Sequence, residues 1–323
     1  MSNLSTCLAC GSPQATTLFT GTDRLYHTTT RQFAVVRCSA CGLLRLDPLP
    51  SPEELRTFYP DNYWFAPDQT TASRLEETYR RIVLRDHVQF VSQALRDSTA
   101  RGPLLDVGCG GGLFLGLMRE RGQRVIGLDF SAQAAGIAWR RQLVPAAVGD
   151  FERTPLRPGS FAGVTMFHVM EHLYDPRAYL RIARELLAPD GRLVVQVPNA
   201  ASWQARLLGS AWNGADVPRH LINFRDTDLV QMLEAAGFEV LRRKYFSLRD
   251  NPAGLASSLA PSLDPMARRI RHTPESGGAR LCKDLAYFAL VVASLPFAIA
   301  EAAFQAGSSV MIEARPKTEV PPK

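Results

Sequence analysis

Between Leu104 and Met118 a short apolar run ends in Asp106, breaks into a glycine-rich turn, and resumes as an apolar helical segment. This is the layout of a ligand pocket at the carboxyl edge of a parallel sheet. Gly108 and Gly110 allow the backbone to approach a ligand where a Cβ would clash. Asp106, at the strand's end, is placed to accept from or pair with a polar or cationic ligand group. The glycine spacing departs from the Gly-x-Gly-x-x-Gly fingerprint of dinucleotide binders, and no Lys-Ser/Thr pair follows as in a phosphate loop. The turn therefore points to a cofactor without choosing one.

The next elements narrow the choice. Val125–Asp129 reads as a second strand ending in an acid, and Asp129 suits a ribose diol. Ala147 opens a third strand that closes at Asp150 and Phe151, with Asp150 able to accept from an adenine amino group. Phe161–Phe167 and Arg192–Pro198 are the fourth and fifth, the latter entered through Pro189-Asp190-Gly191. Helical stretches between them predict an α/β, doubly wound sheet. Phe238–Ser247 and Ser309–Ala314 read as the sixth and last strands. In this order the segment Leu104–Phe246 resembles the class I S-adenosylmethionine-dependent methyltransferases. The resemblance implies a Rossmann-like sheet of seven strands. It places Asp106, Gly108 and Gly110 at the methionine end, Asp129 at the ribose, Asp150 and Phe151 at the adenine, and Phe167 on the cofactor side.

Cys7-Leu-Ala-Cys10-Gly11 and Cys38-Ser-Ala-Cys41-Gly42 repeat one knuckle. Each presents two thiolates to a single tetrahedral ion, so the pair predicts a structural zinc site of the ribbon kind. A closed four-cysteine site leaves no open position for chemistry. Of the other two cysteines, Cys109 reads as a small packing residue and Cys282 as a buried thiol. Arg24, Arg31 and Arg37 lie near the ribbon without dense aromatic interleaving, which argues against nucleic acid as a partner. Some small-molecule methyltransferases, sugar C-methyltransferases among them, resemble this layout, with the module helping to cover the substrate cleft. The predicted units are a ribbon at 1–46, a helical linker or lid at 47–98, a catalytic domain at 99–247 with 308–316, and an insertion at 248–307.

Within the linker, Ser51, Pro52 and Glu54 form a helix start with a capping box, and periodicity predicts a helix over 74–95. Phe58, Tyr59, Tyr63, Trp64 and Phe65 form an aromatic cluster that either packs between the units or covers the cleft.

The chemistry is expected at two places. After the fourth strand stand His168, Glu171 and His172, at the sheet edge where ligands bind. This Glu-His-Leu segment resembles the quinone and small-phenol O-methyltransferases, and also a branch whose Glu and His residues hold a divalent ion that acidifies the acceptor oxygen. After the fifth strand comes Asp216-Val-Pro-Arg219-His220. A histidine in such a loop can take the acceptor's proton at neutral pH, so His220 is the expected general base. Trp203 and Trp212 either line the substrate side or belong to the core. The expected activity is methyl transfer to an oxygen, less readily a carbon, of a small or lipid-linked acceptor such as a sugar. A quinone-type phenol acceptor and a non-catalytic cofactor-binding protein are the alternatives.

The insertion carries Arg268, Arg269, Arg271, Arg280 and Lys283 ahead of a charge-free run over 285–300, which Pro296 interrupts. That run is short of a bilayer span. Basic residues beside it suit an anionic membrane surface; a buried helix or a homodimer interface is the other reading. The net charge of +6 fits an anionic partner of any kind. The polar first residues suggest a cytoplasmic protein, with peripheral attachment to the inner face of the membrane if the insertion meets lipid.

Overall fold

A computed structural model describes residues 5–60 and 71–317 of the chain. Three antiparallel strands, β1 (Ala15–Gly21), β2 (Phe33–Cys38) and β3 (Leu44–Asp47), build the amino-terminal ribbon. Ser51 caps α1 (Pro52–Thr57) by accepting from the Glu54 amide, as expected, but the Glu54 carboxylate does not fold back to complete a capping box. It pairs with Arg31 instead. Tyr63, Trp64 and Phe65 lie outside the described residues. The single helix predicted over 74–95 is two, α2 (Thr71–Val83) and α3 (Arg85–Arg96), meeting at Leu84. Periodicity cannot reveal that break, because the apolar spacing continues across it.

The catalytic body then alternates strand and helix: β4 (Leu104–Val107), α4 (Leu113–Arg119), β5 (Val125–Asp129), α5 (Ala132–Gln142), β6 (Ala146–Val148), β7 (Phe161–Phe167), α6 (Pro176–Leu186) and β8 (Leu187–Pro198). Local chemistry supports these boundaries. Ser131 caps α5, and Asp175 caps α6 with Pro176 in its first turn, where a missing N–H costs nothing. After α7 (Trp203–Leu208) the chain passes through β9 (Ile222–Asn223) and α8 (Asp226–Ala235) to β10 (Phe238–Lys244). The insertion follows as α9 (Asn251–Leu259), α10 (Pro265–Ile270) and α11 (Gly277–Ala303), before β11 (Ser309–Pro316) closes the sheet.

The seven-stranded sheet has the order β10-β11-β8-β7-β4-β5-β6. β4, β5, β6, β7 and β8 run parallel, while β11 pairs antiparallel with both β8 and β10. The predicted sixth and last strands therefore pair directly, with the insertion looped out between them. The chain reverses at β7 from one half of the sheet to the other, which opens a crevice at the carboxyl end of β4. Leu105, Val164, Met166, Val195 and Ile312 fill one side of the sheet without measurable exposure.

β9 does not join that sheet. It pairs with β3 and becomes the fourth strand of the ribbon. The segment after α7 is thereby held between ribbon and catalytic body: Leu46 donates to the Leu221 carbonyl, and the Leu221 amide donates to the Glu171 carbonyl.

α11 runs unbroken through Pro296 and is 27 residues long. By length and composition it is able to cross a membrane, which revises the expectation drawn from the charge-free run alone. Cys282, expected to be buried, is exposed on this helix, whereas Cys109 is buried as expected.

Candidate active site

The glycine turn is shaped by close packing. Gly108 has φ of 74°, and a Cβ there would meet Val169 Cγ2 at 2.7 Å. The cofactor-side turn and the segment bearing His168 and Glu171 are thus in contact, and only glycine permits it. Asp106 is buried at the end of β4, where Thr165 Oγ1 donates to it at 2.6 Å. Burial raises its pKa to about 7 despite that bond, and the nearby Asp129 charge adds to the rise. Asp129 accepts from the Gly110 amide on one oxygen and from Ser131 on the other, each at 2.8 Å. It therefore ties the glycine turn to the end of β5.

Asp150 is exposed and caps a single turn, Phe151–Arg153, by accepting from the Glu152 amide. The Phe151 ring is buried and packs on Tyr179 with centroids 5.2 Å apart, so it backs the pocket. Phe130, which follows Asp129, is 67% exposed and was not singled out in the sequence. An aromatic directly after an acidic strand end was the available signal. Phe167 closes β7 between Phe114 and His87, edge-on to both at about 5 Å.

The two expected sites of chemistry converge. Glu171 sits in a tight turn, Met170–His172, and its carboxylate is 1% exposed. Neither of its oxygens makes a hydrogen bond, although His168 Nδ1 lies 3.3 Å away and His220 Nε2 lies 4.0 Å away. Glu171, His172 and His220 each offer a ligand atom within 4.8 Å of the others. His220 Nδ1 is 2.9 Å from the Gly214 carbonyl, and His172 Nδ1 is 3.1 Å from that of Arg219. A carbonyl only accepts, so each Nδ1 carries the proton and each Nε2 keeps a lone pair. Tyr59 also bonds His172 Nδ1, at 2.9 Å, which brings the linker into the site.

His168 borders this trio, with Nδ1 toward Glu171 and Nε2 toward the insertion. It adopts φ of 56° and lies 3.5 Å from Asp250, which begins the insertion. Burial opposes a charge on His168, but Asp250 and Glu171 outweigh it and raise its pKa to about 9. Burial and the adjacent His220 lower His172 to about 4.

The loop bearing His220 is clamped from the ribbon. Arg219 has no exposed side-chain surface; it reaches both carboxylate oxygens of Asp23 at 2.8 and 3.0 Å and Asp216 at 2.6 Å. Tyr26 stacks beneath its guanidinium at 4.5 Å. Burial pushes Asp23 up, yet Arg219 more than offsets this and holds the carboxyl well below its ordinary range. Trp212 is core, 5% exposed, whereas Trp203 packs against Phe297 and Phe304 of the insertion.

In the ribbon, the Gly11 and Gly42 amides donate back to the Cys7 and Cys38 carbonyls, and both glycines have φ near 75°. The two knuckles thus share one geometry. Cys7 and Cys41 sulfurs are 3.6 Å apart, and those of Cys10 and Cys38 3.5 Å. A tetrahedron of zinc–sulfur bonds near 2.3 Å has sulfurs about 3.8 Å apart, so the four residues fit such an ion.

This sheet order, with acids closing its first three parallel strands, defines a class I S-adenosylmethionine-dependent methyltransferase. Residues 76–243 match the family model described as a methyltransferase domain, and the chain belongs to that family. It is 29% identical over 197 residues to a protein of Mycolicibacterium smegmatis named as a probable S-adenosylmethionine-dependent methyltransferase, covering 60% of this chain and 66% of that one. It is also 29% identical over 148 residues to the ubiquinone biosynthesis O-methyltransferase of Idiomarina loihiensis, covering 42% and 61%. The matches thus span less than two thirds of either relative. Among solved structures, the geranyl diphosphate C-methyltransferase of Streptomyces coelicolor A3(2) aligns over 80% of this chain and 88% of its own, at 17% identity and a TM-score of 0.49.

Proposed function

We propose that the protein transfers the methyl group of S-adenosylmethionine to a hydroxyl oxygen of a small or lipid-linked acceptor, of phenol or quinol type. The observation that carries this reading is the buried Glu171 carboxylate, whose oxygens lack hydrogen-bond partners beside two histidines with free lone pairs. A buried acceptor left unpaired costs about 1–3 kcal/mol, and an acceptor hydroxyl donating to it removes that cost. The name of the ubiquinone-pathway relatives supports an aromatic hydroxyl over the sugar expected from the sequence.

In this reading Asp106 holds the methionine end of the cofactor, Asp129 the ribose, and Asp150 the adenine. One hydroxyl of the acceptor donates to Glu171, while the reacting hydroxyl donates to His220 Nε2, which takes its proton as that oxygen attacks the methyl carbon. The carbon–sulfur bond breaks and S-adenosylhomocysteine leaves. Such an in-line displacement depends chiefly on positioning. Glu171, His172 and His220 also fit a divalent ion, because both histidines have Nδ1 fixed by backbone carbonyls in the manner of metal ligands. Such an ion would acidify the acceptor hydroxyl.

Incubation with S-adenosylmethionine and a panel of catechols, quinols and sugars, with products located by mass spectrometry and NMR, tests the proposal. An O-methylated phenol is expected; a methylated sugar or a new carbon–methyl bond overturns the acceptor assignment. Cofactor binding with no turnover on any class overturns the enzyme reading. Loss of activity in chelator, restored by magnesium, marks the Glu171 trio as a metal site.

Two further results are expected. Asp106 is largely protonated below about pH 7 and ionised above it, so affinity for the cationic cofactor should rise about tenfold between about pH 6 and about pH 8. Calorimetry on wild type and Asp106→Asn checks this, since the asparagine variant should lack that part of the rise. The four amino-terminal cysteines hold one structural zinc ion, measurable by elemental analysis. Cys10→Ser should lower zinc content and, by loosening β3 and β9, reduce turnover on the order of 10- to 100-fold.

A further inference from the structure

Leu281, Leu285, Phe288, Val292 and Ile299 stand at helical spacings of four, three, four and seven, so they form one stripe along α11. Each is between 47% and 60% exposed. The opposite stripe, Val291, Ser294, Ala298 and Glu301, is buried. α11 therefore presents an apolar face to solvent along a helix about 40 Å long. Leu207 on α7 and Phe304 beyond the helix end are each 72% exposed as well, where Trp203 packs on Phe304. Soluble monomers seldom expose contiguous apolar surface on this scale.

We infer that this face lies on an anionic lipid surface, parallel to it. The anchoring of the helix excludes a span in this fold. The Glu301 carboxylate is buried and accepts from Gln204 at 2.6 Å and from the Ser308 amide, while Tyr287 bonds Ser257 at 2.8 Å. Charge selects lipid over a second copy of the chain. Arg280, with 71% of its side chain exposed, sits one residue before the stripe, and its nearest acid, Asp284, is 4.0 Å away and already engaged by Arg268. Glu275 is held by Arg268 and Lys283. A second copy would bring the same cation and acids that are already paired, whereas lipid phosphates supply the missing anion. Arg206 on α7 is exposed beside Leu207. An apolar stripe flanked by cations is the composition of an interfacial helix.

The inference goes beyond the acceptor assignment and is tested without turnover. The full-length protein is mixed with phosphatidylcholine vesicles, with and without phosphatidylglycerol, and bound protein is separated by flotation. Wild type should float with the anionic vesicles, and rising salt should weaken the binding. Leu285→Glu with Phe288→Glu should weaken it about a hundredfold, and Arg280→Glu about tenfold. Melting and cofactor binding of both variants should match wild type, which separates lost contact from lost fold. Wild type that stays in solution with every vesicle overturns the inference. A wild-type dimer that Phe288→Glu converts to a monomer, with no vesicle binding by either, assigns the face to a second copy and overturns it too.

Discussion

Replacing Glu171 with glutamine should abolish most turnover while leaving the fold as stable as wild type, or more so. The carboxylate lies buried without a hydrogen bond, its charge offset by the His168 ring 3.3 Å away, so its unmet hydrogen-bonding capacity costs the native fold and the isosteric glutamine amide relieves that in part. Sites that hold such groups for chemistry are where stability and activity trade against each other. Loss of a positioned proton acceptor or ion ligand lowers turnover by roughly 10²–10⁴-fold. Cofactor affinity should stay within about threefold, since the residues proposed to hold it, Asp106 and Asp129, lie on β4 and β5. Turnover, calorimetric affinity and denaturation midpoint measured together decide the matter. A variant that stays active but unfolds early would make Glu171 a structural residue.

The second large effect is expected from Arg219→Met. This substitution leaves Asp23 and Asp216 facing each other's charge without the cation that joins them. Breaking a buried ion pair by removing one partner costs about 3–5 kcal/mol. The denaturant midpoint should fall accordingly, and turnover with it, because the loop bearing His220 loses its tie to the ribbon. Asp23 is ionised in the fold below its ordinary range. Its contribution is therefore complete above about pH 4, and it disappears as pH falls through the acid range. Wild type should lose stability there, and the methionine variant should lose less. A midpoint unchanged from wild type would show that the triad is not holding the loop.

The parts legible in the sequence are those that local chemistry specifies. An acid closing a buried strand before a glycine turn needs no distant partner to be recognised, so Asp106 and Asp129 were evident. Two identical knuckles likewise announce a four-thiol cluster. Asp23 and Arg219, by contrast, lie 196 residues apart, and nothing near Asp23 marks it as the anchor of the loop bearing His220. β9 is two residues long, too short to show alternation, so its place in the ribbon is a tertiary fact. Asp250 begins a helix of the insertion, yet it faces His168 and Gln196. That the Phe151 ring is buried against Tyr179 was not legible, because a residue type at a strand end does not say which way the ring turns. His220 and Glu171 were read as separate candidates; their convergence depends on the ribbon drawing one loop over the other.

That arrangement bears on how such a chain can be rebuilt. Because β9 completes the ribbon sheet and Arg219 is gripped by Asp23, the amino-terminal module is no detachable cap. Residues 5–60 and 209–225 form one mechanical unit that happens to be encoded in two pieces. A chimera that exchanges only the first piece would inherit a loop with no groove to lie in. Exchange of both together would keep the groove and its loop matched, leaving β4, β5 and β6 untouched.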